Sequence, residues 1–265
     1  MSSTDFELTG SQGTIVVRKV TPNGANRVVV LAHGFGEHSG RYAHVIDRLV
    51  ADGAVVYAPD HRGHGRSEGP RAVADDVDAM VDDLHLVVQS TKDENSGLPL
   101  VLIGHSMGGL MSIRYAQRYG SELTALVVSG PFLGNPFMAP LLDMEVLPDI
   151  PIDPAVLSRD PAVGEAYAAD PLVYHGPLIK ESLVGLFGAV EQVAAGPNLG
   201  ALPVLWVHGE ADQLAVYDSA KVLIEKIGGN NLTAKSYAGA AHEVFNETNK
   251  DEVIEAVAEF LSDFA

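Results

Sequence analysis

The stretch Val101-Leu102-Ile103-Gly104-His105-Ser106-Met107-Gly108-Gly109 puts a serine at the apex of a glycine-flanked turn. Apolar residues lead into it as a strand, and a helix begins near Met107. This strand–turn–helix form of G-x-S-x-G suits a nucleophile. A serine hydroxyl attacks an ester only when it is exposed, close to a base, and beside donors that stabilise an oxyanion. The turn needs strained backbone angles and close strand–helix approach, so Gly104 and Gly108 must lack a β-carbon. The N–H of Met107, at the helix start, then points at the developing oxyanion.

Such a serine needs a base, and the base needs an orienting carboxylate, in the chain order Ser, acid, His. After Ser106 the histidines are His175, His208 and His242. His175 falls in a proline-rich insertion, and His208 ends a strand, where it reads as support for a local turn. His242 sits in the small-residue loop Ala238-Gly239-Ala240-Ala241-His242-Glu243, between the last strand and the last helix, and is the best base. For the acid, Asp212 in Gly209-Glu210-Ala211-Asp212 follows a strand and opens at the correct sheet edge, with Glu210 and Asp218 as alternatives. The second oxyanion donor comes from the loop His33-Gly34-Phe35-Gly36-Glu37-His38, where the N–H of Phe35 partners that of Met107.

Two other patterns carry less. Gly65-Arg66-Ser67-Glu68-Gly69 also matches G-x-S-x-G. No strand precedes it directly and Pro70 follows, so Ser67 reads as part of a polar loop. His38, His61 and His64 offer no consistent third ligand, so no metal site is expected.

These residues need a frame that brings them together. Short apolar runs alternate with helical patterns. Strands are expected over Thr14–Val20, Arg27–His33, Ala54–Ala58, Leu100–Gly104, Ala125–Ser129, Leu202–His208 and Thr233–Tyr237. Helices are expected over His44–Ala51, Asp75–Ser90, Gly108–Tyr119, Ser219–Ile227 and Glu252–Phe264. Arg27–His33 is nearly continuous in Val and Leu, as a strand buried on both faces should be. The alternation implies an α/β fold, with a mostly parallel central sheet and helices on both faces.

The alternation stops between 131 and 200, a segment that holds ten of the fifteen prolines. Its first part is crowded with apolar residues, among them Phe132, Phe137, Leu141, Leu142, Val146 and Ile150. Its second carries the helical stripe Ile179, Leu183, Leu186, Phe187, Val190 and Val193. The reading is a hydrolytic core of residues 1–130 and 201–265 with an inserted cap, 131–200. Such an insertion lies over the carboxyl ends of the strands, where ligands bind in open α/β sheets. Its inner face would line an acyl pocket, with Leu142, Ile179 and Leu183 as contacts.

Composition narrows the partners. The formal charge of −18 argues against a nucleic-acid partner, which needs clustered Lys and Arg. With no cysteine there is no disulfide, thiol nucleophile or cysteine-ligated zinc. The start, Met1-Ser2-Ser3-Thr4-Asp5-Phe6-Glu7, has neither a basic segment nor an apolar run, so no secretory signal is expected. No stretch approaches the roughly 18 apolar residues of a membrane span. A cytoplasmic protein is expected, with peripheral membrane contact through the cap.

Several blocks together resemble the monoacylglycerol lipases of the α/β-hydrolase fold, bacterial type, within the serine-aminopeptidase-like and lysophospholipase group. They are His33-Gly34-Phe35-Gly36-Glu37-His38-Ser39-Gly40-Arg41-Tyr42, Asp60-His61-Arg62-Gly63-His64-Gly65-Arg66-Ser67, Gly104-His105-Ser106-Met107-Gly108-Gly109, Asp170-Pro171-Leu172-Val173 and His242-Glu243-Val244-Phe245-Asn246-Glu247. The resemblance spans nearly the full length. It implies Ser106, Asp212 and His242 as the catalytic set, Phe35 and Met107 as oxyanion donors, and no cofactor. It also implies Glu37 and Arg41 near the glycerol end of the pocket. Phe245 stands where some members carry a further histidine near the glycerol. The implied reaction is cleavage of a monoacylglycerol, a small lipid ester, to glycerol and a fatty acid. The same triad serves a general carboxylesterase or a lysophospholipase.

Overall fold

Eight strands form one sheet in the computed structural model, which describes residues 1–148 and 152–264. Ile150, counted above among the apolar cap residues, lies outside the described residues. The strands are β1 (Ser2–Gly10), β2 (Gly13–Thr21), β3 (Arg27–Ala32), β4 (Ala54–Pro59), β5 (Leu100–His105), β6 (Ala125–Ser129), β7 (Val204–Gly209) and β8 (Leu232–Tyr237). Their order across the sheet is β1-β2-β4-β3-β5-β6-β7-β8. β1 and β2 pair antiparallel, β2 joins β4 antiparallel, and the remaining neighbours run parallel. The strand order reverses between β3 and β5. That reversal is where a crevice opens at the carboxyl ends of such a sheet.

The continuous apolar strands are explained by their two faces. Val28, Val30, Leu102 and Val128 point to one side, into a cluster with Leu84 and Val88 of α2 (Val77–Glu94) and Leu110 and Ile113 of α3 (Met107–Tyr119). Val29, Leu31, Val101 and Val127 point to the other. There they meet Ile46 and Leu49 of α1 (Ala43–Ala51) and Val253 and Val257 of α7 (Lys250–Ser262). Each such side chain removed from water contributes about 1.5–3 kcal/mol, so neither face can slip register cheaply.

Two features depart from the sequence reading. β1 is a mostly exposed edge strand, paired in register with β2 from Ser2–Thr21 to Gly10–Gly13. Phe6 and Leu8 alternate with exposed Glu7 and Thr9 and pack against the core, whereas the polar start Ser2–Asp5 is exposed throughout and is held as strand by backbone pairing with β2. The insertion also has two parts. α4 (Pro161–Ala169) and α5 (Lys180–Ala195) follow a run of short turns. Leu186, Ala189 and Val193 of α5 join the main core, whereas Leu157, Tyr167 and Val173 form a separate small cluster. α5 therefore buttresses the sheet, and the segment before it forms the roof.

Candidate active site

Ser106 sits between β5 and α3 with φ 53° and ψ −118°, a left-handed conformation that costs a non-glycine residue on the order of 1–3 kcal/mol. Hydrogen bonds on both sides hold it there. Its N–H donates to Ser129 O at 3.0 Å, and its carbonyl accepts from Leu110 N at 3.0 Å and Phe132 N at 3.1 Å. The flanking glycines are required by contact. A β-carbon on Gly104 would lie 2.3 Å from Gly108 O, and one on Gly108 would lie 2.2 Å from Ala32 O. The β3 loop is equally close, since a β-carbon on Gly34 would stand 3.2 Å from Ser106 Cβ. The backbone N–H groups of Phe35 and Met107 have no acceptor among the described residues.

The loop after β8 delivers His242. Glu247 ties it down, accepting from Ala241 N at 2.8 Å and from Arg159 N at 3.1 Å. His242 Nδ1 donates to Asp212 Oδ2 at 2.7 Å, while Asp212 Oδ1 accepts from Leu214 N at 2.8 Å and Ala215 N at 2.9 Å. Burial pushes the Asp212 carboxyl up, but the His242 imidazole and hydrogen bonds from His208 and His242 outweigh it and hold the group well below the usual carboxylate range. For His242, burial acts downward, and the Asp212 charge beside it raises the imidazole above its ordinary value. Neighbouring His105 is the opposite case: burial, then the His242 charge, lower it to about 3, so it stays neutral.

Ser106, Met107 and His242 line one cavity of about 390 Å³, with Phe35 at its rim and apolar walls from Phe132, Met138, Leu141, Leu147, Leu157, Leu178 and Leu186. A nucleophile–base hydrogen bond often forms fully only when substrate enters, and Ser106 and His242 line the space where it would form. Glu37 and Arg41 also line it. Arg41 is gripped by two carboxylates, with Nη1 at 2.7 Å from Glu37 Oε2 and the two terminal nitrogens at 2.6 and 2.8 Å from Glu243. Tyr167 of α4 stacks over the guanidinium at 5.0 Å.

The residues that line this cavity differ from the expected acyl contacts. Leu142, Ile179 and Leu183 are absent from the cavity wall, which is lined instead by Leu141, Leu178 and Leu186. The helical stripe identifies an apolar face, but Leu183 is fully buried where α5 meets the 72–76 loop, held by Ser182 Oγ donating to Ala72 O at 2.8 Å. Which part of an apolar face meets the cavity is set by packing.

Other candidates find ordinary partners. Ser67 Oγ donates to Asp60 O at 2.5 Å and accepts from Val16 N at 2.9 Å. His38 Nε2 meets Asp170 at 2.9 Å, His61 Nε2 meets His33 O at 3.1 Å, and His64 Nδ1 meets Arg62 O at 2.9 Å. His175 Nε2 contacts Asp170 O at 3.1 Å, and Glu210 accepts from Ser236 at 2.7 Å. Two residues were missed. Glu243 was readable only as the residue after His242. His208 lies 3.1 Å from Asp212 Oδ2, which its place at a strand end did not reveal.

A hydroxyl nucleophile, a base paired to an ionised carboxylate, and two unpartnered N–H donors around one apolar cavity are the parts of serine acyl transfer. The family model "Serine aminopeptidase, S33" matches residues 23–249. The chain is 38% identical to the monoacylglycerol lipase of Mycolicibacterium smegmatis, covering 98% of each chain. It is 35% identical to human monoglyceride lipase over 85% of this chain and 78% of that protein. The crystal structure of Paleococcus ferrophilus monoacylglycerol lipase superposes with a TM-score of 0.83 at 30% identity, covering 95% of this chain and 99% of that one. The chain belongs to the monoacylglycerol lipase family of α/β-hydrolases.

Proposed function

We propose that this protein hydrolyses monoacylglycerols to glycerol and a free fatty acid through an acyl-enzyme on Ser106. The observation that carries this reading is an apolar cavity ending in a buried Glu37–Arg41–Glu243 cluster beside Ser106 and His242. An acyl chain suits the walls, and a small neutral polyol suits the cluster. Arg41 is satisfied by carboxylates. Glu37 Oε1 accepts from Gly34 N and Tyr42 OH, and Glu243 Oε2 accepts from Arg41 and Asn246, which leaves Glu37 Oε2 and Glu243 Oε1 one acceptor position each. Two acceptor positions fit hydroxyl donors. Two carboxylates against one guanidinium leave the cluster anionic, which disfavours a lysophospholipid phosphate.

In this reaction Ser106 Oγ attacks the ester carbonyl as His242 Nε2 takes its proton. Asp212 holds the imidazole with Nδ1–H toward itself and stabilises the imidazolium. The N–H groups of Phe35 and Met107 bind the oxyanion. The imidazolium protonates departing glycerol, and His242 then activates water to hydrolyse the acyl-enzyme. The raised imidazole sets the acid limb of kcat/KM above pH of about 6.5.

The roof extends the reading to a lipid surface. Phe137 is 79% and Val146 77% exposed on it, and no helix among the described residues is long and apolar enough to cross a membrane. Peripheral contact through this patch would let substrate enter from the bilayer. The deciding experiment is kcat/KM at equal ester concentration for 1- and 2-monoacylglycerols, di- and triacylglycerols, a lysophosphatidylcholine and short p-nitrophenyl esters. The highest value belongs to monoacylglycerols. Preference for aryl esters alone makes the protein a general carboxylesterase, and preference for the lysolipid overturns the polyol reading.

A further inference from the structure

Beside Asp212, on the strand that leads into its loop, lies a second imidazole that the reaction above does not use. Trp206 and His208 lie two apart on β7 and so share a strand face. His208 is fully buried and Trp206 is 2% exposed. The indole is stacked on Tyr217 of α6 (Tyr217–Ile227) at 5.4 Å and an interplanar angle of 12°. Its Nε1–H donates to His208 Nδ1 at 3.0 Å. An indole nitrogen only donates, so Nδ1 accepts and the imidazole proton resides on Nε2. That proton is shared between Ala215 O at 2.7 Å and Asp212 Oδ2 at 3.1 Å. Oδ2 is also the oxygen that takes the His242 Nδ1–H. With the backbone donors Leu214 and Ala215 on Oδ1, all four acceptor positions of the carboxylate are occupied.

We propose that His208, fixed as its Nε2–H tautomer by Trp206, is a positioning residue that pins Asp212 Oδ2 toward His242 and moderates the pull of that carboxylate on the imidazolium. The inference rests on the Ser106–Asp212–His242 reading. Without the His208 donor, Oδ2 keeps His242 as its one remaining donor, and its charge falls more fully on that imidazole. The imidazolium is then over-stabilised, so the acid limb of kcat/KM moves to higher pH. The other titratable groups around the pair stay in place: His105 from β5, Glu37 from the β3 loop, Glu243 beside His242, and Tyr217 edge-on to His208 at 5.6 Å.

The test is the pH profile of kcat and kcat/KM on a soluble short-chain ester for the intact protein, His208→Phe, His208→Gln and Trp206→Phe, each checked by thermal melting. His208→Phe should lower kcat about ten- to a hundredfold, as expected for a lost hydrogen bond to a charged group. It should leave KM little changed and raise the acid limb by on the order of one pH unit. His208→Gln, whose amide N–H reaches the same oxygen, should restore the limb toward the parent. Trp206→Phe, which frees the tautomer, should fall between. Folded His208→Phe with the parent kcat and limb overturns the proposal. If that variant does not fold, a parent-like limb in Trp206→Phe overturns it instead. Ser106→Ala in the same assay separates this result from the triad itself: retained hydrolysis there would sink the underlying reading, whatever His208 does.

Discussion

The floor and the roof of the cavity are built on opposite plans. The floor is made by loops at the ends of β3, β5, β7 and β8. Its groups are buried and densely bonded: the Asp212 side chain is fully inaccessible and Ser106 is locked at φ 53°. The roof has a core of only three buried apolar side chains among the described residues, Leu157, Tyr167 and Val173, and exposes Phe137 and Val146. It is tied to the floor at a few points. Tyr174 N donates to Gly36 O at 2.7 Å, Glu243 N to Leu157 O at 2.8 Å, and Arg159 Nε to Glu247 at 2.9 Å. The contrast separates two tasks. Chemistry needs one geometry and is placed on strand ends that the whole core holds still. Substrate choice tolerates variation and is placed on a thinner layer.

That division can be broken at either end. The largest effect is expected from Ser106→Ala, which should lower kcat about a millionfold and abolish fluorophosphonate labelling; near-full activity would refute the floor assignment. Asp212→Asn should cost about 10⁴-fold in kcat. Loss of the carboxylate charge also lets the His242 pKa fall, so the remaining activity should have its acid limb at lower pH, opposite in sign to His208→Phe. Arg41→Met leaves Glu37 and Glu243 facing each other unpaired. It should destabilise the fold by about 3–5 kcal/mol, a drop of roughly 10 °C in Tm by calorimetry. An unchanged Tm would mean that the cluster is solvated.

The roof should respond by substrate instead of by rate. Leu141→Trp fills the cavity from the roof and should lower kcat/KM about tenfold on long-chain monoacylglycerols while sparing p-nitrophenyl acetate. Equal loss on both would show that the cavity is not the acyl site. The smallest effect on chemistry belongs to Phe137→Ser combined with Val146→Ser. Sedimentation with neutral vesicles should weaken about a hundredfold or more, from the loss of two apolar side chains that would otherwise enter the bilayer at about 1.5–3 kcal/mol each, with activity on a soluble ester unchanged. If vesicle binding persists, contact lies elsewhere on the molecule.

How much was legible depended on whether a signal was local. The turn around Ser106 was readable because the glycines, the strand and the helix are contiguous in the chain. His242 and Asp212 were readable because small-residue loops after apolar strands have a defined place in a parallel sheet. β1 was not, since its alternation is limited to Phe6 and Leu8 and its exposed polar start becomes strand only by pairing with β2. α4 was not, because a short helix begun at Pro161 inside a proline-rich run carries little periodic signal. The cavity wall was legible as apolar but not residue by residue, hence Leu141, Leu178 and Leu186 in place of Leu142, Ile179 and Leu183.

The sequence by itself determined the parallel sheet, the serine at its sharp turn, and the loops that carry Asp212 and His242. Those follow from side-chain period and from glycine's backbone freedom, which act within a few residues. Tertiary structure alone decided that Arg41 is clamped by Glu243, 202 positions away, and that His208 turns its one N–H toward Asp212 and Ala215 O. Both depend on where a buried donor finds its acceptor. That is settled when strands and loops distant in the chain pack side by side, because a buried polar group left unpaired costs more than the bond itself is worth.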